Sequence, residues 1–283
     1  HGSLDEPNRG FVDALKERGY GPDKVEIEQE NAQGGQSNLK TIVSRFKAEK
    51  PKLICAIATP AAQAAANEIK DIPIVGTAIT DYTSAKLVQN DERPGGNVTG
   101  VSDFAAMDAQ MELAAKLIPQ AKHVGLIYCS SEVNSEVQAN QMKDYCKKHG
   151  LAVEERTVNN VNDIQQVAES LIGKVDYIYV PTDNTLASSI PTLMKITDAN
   201  KIPVIVGADI MAKDGALAAL SVDYYRLGKQ TGELAADILD GKVKPETSPI
   251  QHQKDYTIVI NKQDAEILGL TIPEEIAKKA NMV

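Results

Sequence analysis

The apolar residues of this 283-residue chain fall into short continuous runs that alternate with amphipathic or alanine-rich stretches. The run Leu53–Ile57 is apolar throughout, as expected for a strand buried on both faces. Thr59 follows as an expected N-cap, Pro60 as the first helical residue, and an alanine-rich helix then begins. The same order of buried strand, polar turn and helix start returns at 175–185. This repetition predicts two similar α/β halves.

The hydrophobic pattern of the rest of the chain predicts the other helices and strands of both halves. Further helices are predicted over residues 6–18, 37–49, 107–117, 163–172, 186–200, 224–239, 262–268 and 273–280, with another leading from 130–135 to Gly150. Further strands are predicted over 25–28, 72–76, 98–101, 123–128, 151–157, 175–180, 204–206, 217–222 and 256–260. Strands that alternate with helices in this way indicate a parallel, doubly wound sheet.

The number of strand–helix units is too large for one tidy sheet, so the predicted fold class is α/β with two doubly wound parallel-sheet lobes. We expect the chain to pass between the lobes near Gly100, Asp223 and Gln251. Lobe one would then contain residues 1–100 and 224–250, and lobe two residues 101–223 and 251–283. Three crossings make a hinge, and a cleft between hinged lobes can close around a small molecule.

The beginning of the chain is unusual for a parallel sheet, because the first predicted helix has no strand before it. The segment 1–5 reads as the loop that would follow such a strand. We therefore expect an N-terminal strand, and an export signal before it, to precede this sequence.

Charge and composition narrow the function classes. The net charge of −9 argues against nucleic acid and anionic membranes as partners. No apolar run approaches the roughly 20 residues that a membrane span needs. Cys55, Cys129 and Cys146 lack zinc or CxxC spacing, and the four histidines lack metal-ligand spacing. No nucleophile–base pair, metal cluster or phosphate loop is recognisable, so neither a cofactor nor an enzyme activity is expected.

Polar residues at the strand ends of lobe one are candidate ligand contacts, because ligands bind at the carboxyl edge of open α/β sheets. The Thr59 hydroxyl and the N–H groups of Ala61 and Ala62 could hold a carboxylate at the helix start. The alternative is that Thr59 is a plain N-cap. Further candidates in this lobe follow the next strand or lie in the first loop: Thr77, Thr80, Asp81, Leu4 and Asp5.

Lobe two offers a complementary set. Asn134 and Ser135 begin a helix soon after a strand and could bind the polar end of a ligand, or simply cap that helix. Asp183 and Asn184 follow the strand at 175–180, where a carboxylate could pair with a ligand ammonium or satisfy backbone donors. Asp209 is a second candidate for the ammonium, the alternative being a solvated loop aspartate.

Four segments, at 58–63, 94–102, 180–185 and 223–232, resemble in order the ABC-transporter substrate-binding protein family typified by tryptophan/tyrosine-type binding proteins. The resemblance covers nearly the whole chain. It implies a two-lobed type I periplasmic-binding fold and an exported receptor, often a lipoprotein, that hands its ligand to a membrane permease. Some members bind aromatic amino acids.

The predicted function is therefore an extracytoplasmic solute-binding protein of an ABC importer, periplasmic or anchored at the cell surface as a lipoprotein. Its expected ligand is a small amino acid-like molecule, foremost an aromatic amino acid, held in the cleft between the lobes. A sugar- or nucleoside-binding receptor, the effector domain of a repressor, and an enzyme that uses the same cleft remain as alternatives.

Overall fold

The computed structural model describes residues 4–283, and its chain divides into two compact units. The first unit runs to Phe104 and includes Asp223–Lys254, and the second consists of Ala105–Val222 and Asp255–Val283. The chain therefore passes between the units after residues 104, 222 and 254. No helix among residues 4–283 is long and apolar enough to cross a membrane.

The first unit is a four-stranded parallel sheet with helices around it. Its strands are β1 (Ile54–Ile57), β2 (Ile74–Ile79), β3 (Val98–Ser102) and β9 (Gln251–His252), hydrogen bonded in that order. Its helices are α1 (Asp5–Glu17), α2 (Gln36–Glu49), α3 (Thr59–Glu68) and α10 (Tyr224–Leu239).

Helices α1 and α10 approach each other more closely than ordinary side chains would permit. A Cβ atom added at Gly228 would lie 2.0 Å from the Pro7 carbonyl oxygen, and one at Gly10 would lie 2.2 Å from the Tyr225 carbonyl oxygen. Glycine at these positions therefore allows direct backbone contact. Phe11 of α1 and Leu234 of α10 then pack with Val75 of β2 in the core of the unit.

The second unit is a seven-stranded sheet in the order β11-β10-β8-β7-β6-β4-β5. The strands are β4 (His123–Cys129), β5 (Ala152–Val158), β6 (Tyr177–Val180), β7 (Val204–Val206), β8 (Ala218–Ser221), β10 (Thr257–Ile260) and β11 (Asn281–Met282). The helices are α4 (Met107–Leu117), α5 (Val133–His149), α6 (Ile164–Glu169), α7 (Asn184–Ala187), α8 (Ile190–Ala199), α9 (Asp209–Lys213), α11 (Lys262–Leu268) and α12 (Glu274–Ala277).

The sequence pattern predicted a wholly parallel sheet in the second unit. The observed sheet contains one antiparallel pair, β8 and β10. Between these two strands the chain leaves the unit and runs through 223–254 of the first unit. No crossover helix inside the second unit joins β8 to β10, so the right-handed parallel connection does not apply to this pair.

Two predicted elements differ in the structure. The segment 25–28 forms no strand: Ile27 packs against the core of the first unit, while Glu28 and Glu30 form ion pairs with Arg45. Its alternation reflects the half-buried Val25 and Ile27 between exposed glutamates, and side-chain contacts hold the segment instead of ladder hydrogen bonds. The helix predicted over 186–200 is divided into α7 and α8, because Pro191 in the first turn of α8 cannot continue a preceding helix.

The predicted N-terminal strand would precede the sequence and lies outside the described residues. Asp5, the last residue of the loop expected at 1–5, is already the first residue of α1, and residues 1–3 of that loop lie outside the described residues.

Candidate functional site

The carboxyl edge of the first sheet carries a tight passage from strand to helix. β1 and β2 are parallel, with Ile57 opposite Thr77, and α3 begins two residues after β1 ends. Ala58 joins them with φ +79° and ψ 153°, a conformation that L-residues rarely adopt, and its N–H donates to the Thr77 carbonyl at 3.0 Å. This strained turn places the start of α3 at the edge where open α/β sheets bind ligands.

The donors at the start of α3 differ from the predicted set by one position. Ala58 is the N-cap residue, so Thr59 is the first helical residue and not the cap, and it is buried. The N–H of Ala62 donates to the Ala58 carbonyl at 3.1 Å and is not available to a ligand. Thr59 and Ala61 lie in the first turn, where N–H groups have no carbonyl partner within the helix, and Pro60 has no N–H. The N–H groups left without a carbonyl partner at this helix start are therefore those of Thr59 and Ala61, and anion binding by them stays a prediction.

Of the three candidates that follow at the end of β2, Thr77 stands out. Its Oγ1 is buried and has no hydrogen-bond partner among the described residues. Thr80 is also buried, and its carbonyl accepts from the Ser102 hydroxyl at 2.9 Å. Asp81 Oδ1 accepts from the N–H of Ser84 at 2.8 Å, which makes it a turn residue. Thr77 thus adds an unused hydroxyl to the edge that holds Thr59.

A buried tyrosine–aspartate contact lies at the end of β3 in the same unit. The Tyr224 hydroxyl donates to Asp103 Oδ2 at 2.9 Å. Burial raises the pKa of the Asp103 carboxyl, and the hydrogen bond from Tyr224 opposes that rise. The sequence analysis did not single out Asp103. Tyr225, the residue after Tyr224, packs on α1, where its hydroxyl donates to Asp13 at 2.9 Å.

The second unit brings four predicted residues together at the ends of two neighbouring parallel strands. β4 pairs with β6, and helices α5 and α7 begin shortly after them. Asn134 Nδ2 donates to the Thr182 carbonyl at 2.9 Å, and the Ser135 hydroxyl donates to Asp183 Oδ2 at 2.7 Å. Asn184, the first residue of α7, completes the group. We call this group, together with Glu132, the polar cluster of the second unit.

The Asp183 carboxylate is deeply embedded in this polar cluster, with 1% of the residue exposed. Oδ1 accepts from the N–H of Leu186 at 2.8 Å, which makes Asp183 the N-cap of α7. Oδ2 accepts from the N–H of Cys129 at 2.7 Å as well as from Ser135. Burial, followed by the charge of Glu132, raises the pKa of Asp183 to about 7 against the effect of these donors. The capping role is thus present, and a ligand contact by Asp183 stays a prediction.

Glu132 is a central member of the polar cluster that the sequence analysis missed. Its Oε1 accepts from the N–H and the hydroxyl of Thr185, at 2.9 and 2.8 Å. Its Oε2 accepts from the N–H and the side-chain amide of Asn184, at 2.9 and 2.8 Å, and from Asn134 Nδ2 at 3.1 Å. A glutamate before one predicted helix and the polar start of another were both visible in the sequence. Their pairing depends on the strand register, which the sequence does not specify.

Gln138 and Asn134 form the remaining polar part of this edge. Gln138 Oε1 accepts from the N–H of Thr182 at 2.6 Å, and its Nε2 donates to the Thr182 hydroxyl at 3.3 Å. Asn134 Oδ1, by contrast, is buried and has no partner in residues 4–283. The cluster therefore presents one unused acceptor, as the first unit presents an unused hydroxyl at Thr77.

The other predicted contacts lie apart from these clusters in the hydrogen-bond pattern. Asp209 begins the short helix α9 and forms an ion pair with Lys213 at 2.5 Å. Leu4 precedes α1, and Asp5 is its exposed first residue. No three His, Cys, Asp or Glu side chains among residues 4–283 come together as metal ligands, and the three cysteines are free.

Comparisons with known proteins place this arrangement in a family. A model described as ABC transporter substrate binding protein matches residues 1–283. A tyrosine-binding protein of Clostridioides difficile is 42% identical over 271 residues, which cover 95% of this chain and 78% of that protein. The structure of an ABC domain in complex with L-Trp from Streptococcus pneumoniae is 41% identical with a TM-score of 0.96, covering 100% of this chain and 96% of that one.

More distant structures share the fold alone. The leucine binding protein LivK of Thermotoga maritima is 15% identical with a TM-score of 0.63, covering 84% of this chain and 78% of its own. The two α/β units, with polar groups at their strand ends, have the fold of the type I periplasmic binding proteins. The chain belongs to the ABC transporter substrate binding protein family, as the sequence motifs had indicated, and proteins of this family are extracytoplasmic.

Proposed function

We propose that this protein is the solute receptor of an ABC importer and that it binds an aromatic amino acid, tyrosine or tryptophan, between its two units. The units would close on the ligand by a hinge at the three chain passages and deliver it to a membrane permease without altering it. The receptor would be periplasmic or a cell-surface lipoprotein. The proposal rests above all on the 41% identity, along the whole chain, to a domain solved with L-Trp.

The two polar edges supply the opposite chemistries that an amino acid requires. The first unit offers donors for a carboxylate: the hydroxyl and N–H of Thr59, the N–H of Ala61 and the unused hydroxyl of Thr77. The second unit offers the unused acceptor Asn134 Oδ1 for an ammonium. The relative named as a tyrosine-binding protein supports an aromatic ligand.

Magnitudes show why both charged ends matter. Enclosing an aromatic ring buries about 150–250 Å², which contributes roughly 4–6 kcal/mol at about 25 cal/mol per Å². Micromolar binding needs about 8 kcal/mol. The ring alone is therefore insufficient, and the groups that hold the carboxylate and ammonium have to supply the difference beyond their own desolvation.

A thermal-shift screen of the proteinogenic amino acids, with sugars and nucleosides as controls, tests the proposal. We expect L-tyrosine or L-tryptophan to raise the melting temperature in proportion to the logarithm of its concentration above Kd. Mass spectrometry of the bound compound should show it unchanged. Stabilisation by sugars or nucleosides alone would contradict the amino acid assignment, and turnover would favour an enzyme.

The carboxylate site can be tested by Thr59→Val, which removes the hydroxyl and keeps the side-chain volume. A hydrogen bond to a charged group contributes about 1.5–3 kcal/mol, so we expect Kd to rise about 10- to 100-fold by calorimetry. Thr41→Val on the exposed face of α2 is the matched control and should leave Kd unchanged. An unchanged Kd in a folded Thr59→Val protein would place the carboxylate elsewhere.

A further inference from the structure

We propose that Glu132 is a positioning residue: it fixes the side-chain amide of Asn134 so that the oxygen faces the ligand, and this orientation selects an ammonium group. The inference rests on the proposed function, because it concerns recognition of one end of the same amino acid. It assigns a specificity role to a glutamate whose oxygens are occupied by protein donors.

The orientation of the Asn134 amide follows from its neighbours. Nδ2 lies 2.9 Å from the Thr182 carbonyl oxygen and 3.1 Å from Glu132 Oε2, both of which are acceptors only. It also lies 3.3 Å from the Ser135 hydroxyl, which itself donates to Asp183. An amide nitrogen carries two N–H donors, and these acceptors use both of them.

The reversed orientation is strongly disfavoured. It would place the amide oxygen against the Thr182 carbonyl and the Glu132 carboxylate, so that three acceptors would face one another in a buried place without a proton between them. The observed orientation instead leaves Oδ1 as the group without a partner. Since Asn134 is 4% exposed, water does not readily satisfy that oxygen, and a ligand donor is its natural partner.

Glu132 can impose this orientation because it is itself immobilised. Four donors from Asn184 and Thr185, at the start of α7, hold its two oxygens at 2.8–2.9 Å. Glu132 and Asp183 form no ion pair with a lysine or arginine of residues 4–283, so the cluster keeps a negative character. A cationic donor therefore suits Asn134 Oδ1 better than a neutral donor, and a carboxylate does not suit it at all.

We predict that a variant without the Glu132 carboxylate loses discrimination between an amino acid and its analogue without the ammonium, and not merely affinity. A site built around a hydrogen bond rejects a ligand that lacks the bonding group, because the buried protein atom is left unpaired. The wild-type protein should therefore bind L-tryptophan much more tightly than indole-3-propionate, which lacks the ammonium. In Glu132→Gln one acceptor oxygen becomes an amide nitrogen that faces the N–H donors of Asn184 or Thr185, so the side chain at 132 no longer holds the Asn134 amide and Oδ1 is no longer fixed toward the ligand.

Calorimetry with L-tryptophan and indole-3-propionate, and with L-tyrosine and 3-(4-hydroxyphenyl)propionate, tests this inference. We expect the Kd ratio within each pair to be at least about 100-fold in the wild type and to shrink at least about tenfold in Glu132→Gln. Glu136→Gln, an exposed residue in the first turn of the same helix, is the control and should keep the wild-type ratio.

Asn134→Leu provides a second route that keeps the Glu132 carboxylate and its four donors from Asn184 and Thr185. Because it removes the acceptor, it should raise Kd for the amino acid while leaving Kd for the des-amino analogue within a few-fold, and a purely structural role would weaken both equally. An unchanged ratio in folded Glu132→Gln or Asn134→Leu would overturn the inference. A wild type that binds none of the four compounds would instead contradict the proposed function.

Discussion

The second unit contains two pairs of neighbouring acidic side chains that differ in the hydrogen-bond donors around them. Glu132 and Asp183 together accept eight hydrogen bonds from protein donors. Asp198 and Asp264 also lie within hydrogen-bonding reach of each other. Yet both oxygens of Asp264 and Oδ1 of Asp198 are buried with no donor from residues 4–283.

The difference follows from where each pair lies on its helices. Glu132 and Asp183 meet the start of α7, where unoccupied N–H groups and a positive dipole end favour negative charge. Asp198 lies in the last turn of α8, where the dipole disfavours it, and Asp264 lies in the first turn of α11, but no N–H group of that turn reaches its carboxyl oxygens. Burial, followed by the charge of Asp198, raises the pKa of Asp264 to about 7. The first pair is therefore stabilised by donors of the chain, whereas we expect the second pair to hold a proton between its two carboxyl groups.

The largest expected effect concerns the first pair. Asp183→Ala would leave the N–H groups of Cys129 and Leu186 buried without an acceptor and would leave the Glu132 charge in place. We expect a loss of about 3–5 kcal/mol in the free energy of unfolding of the second unit, measured by urea titration. Asp144→Ala, on the exposed face of α5, should change it by less than about 0.5 kcal/mol. A small effect of Asp183→Ala would show that the donors do not stabilise the first pair.

The second pair should respond in the opposite direction. Asp264→Asn replaces a carboxyl group that must ionise beside Asp198 with an amide that donates as the protonated acid does. We expect this variant to gain about 1–3 kcal/mol in unfolding free energy at pH 8. At pH 5 the folded wild-type pair still holds its proton, so the gain should be smaller than at pH 8. A destabilised variant at pH 8 would mean that the ionised pair has a partner that the structure does not show.

The pH dependence sharpens the same contrast. The folded-state pKa of Asp264 lies above its unfolded value, so between about pH 4 and 7 the folded protein holds a proton that the unfolded chain has lost. Its contribution to stability is therefore complete below that window and is lost as pH rises through about 7. Asp183 acts in the same direction. Subtracting the Asp264→Asn curve from the wild-type curve isolates the second pair. Parallel curves from pH 5 to 8 would contradict the shared proton.

The contacts within the two pairs were predictable from the sequence to different degrees. The meeting of Asn134, Ser135 and Asp183 was predictable, because parallel strands end at one edge and polar residues follow both. The role of Glu132 depends on the register of β4 against β6. Asp198 and Asp264 lie on separate helices, far apart in sequence, and only tertiary packing brings them together.

In the first unit the predicted and the observed start of α3 differ by a single residue. The N-cap moved from Thr59 to Ala58 because the strained turn at Ala58 lets the helix begin one position earlier than capping preference indicates. That shift removed Ala62 from the donor set. Motifs and the succession of strands and helices along the chain were therefore recoverable from the sequence, whereas positive backbone angles and the resulting set of free donors were not.

The smallest expected effect is that of removing one donor to Asp183, which separates the contribution of a hydroxyl from that of the backbone N–H groups. Ser135→Ala removes only the hydroxyl that donates to Asp183 Oδ2 and leaves the backbone donors of Cys129 and Leu186 in place. We expect a loss of about 1–2 kcal/mol at pH 8 and a smaller loss at pH 5, because burial raises the pKa of Asp183 and a protonated carboxyl gains less from the hydroxyl donor. Ser188→Ala, exposed after α7, is the control and should stay within about 0.5 kcal/mol of wild type. A loss equal at both pH values would show that the hydroxyl stabilises the helix start and not the charge, and the contrast between the two pairs would then rest on backbone donors alone.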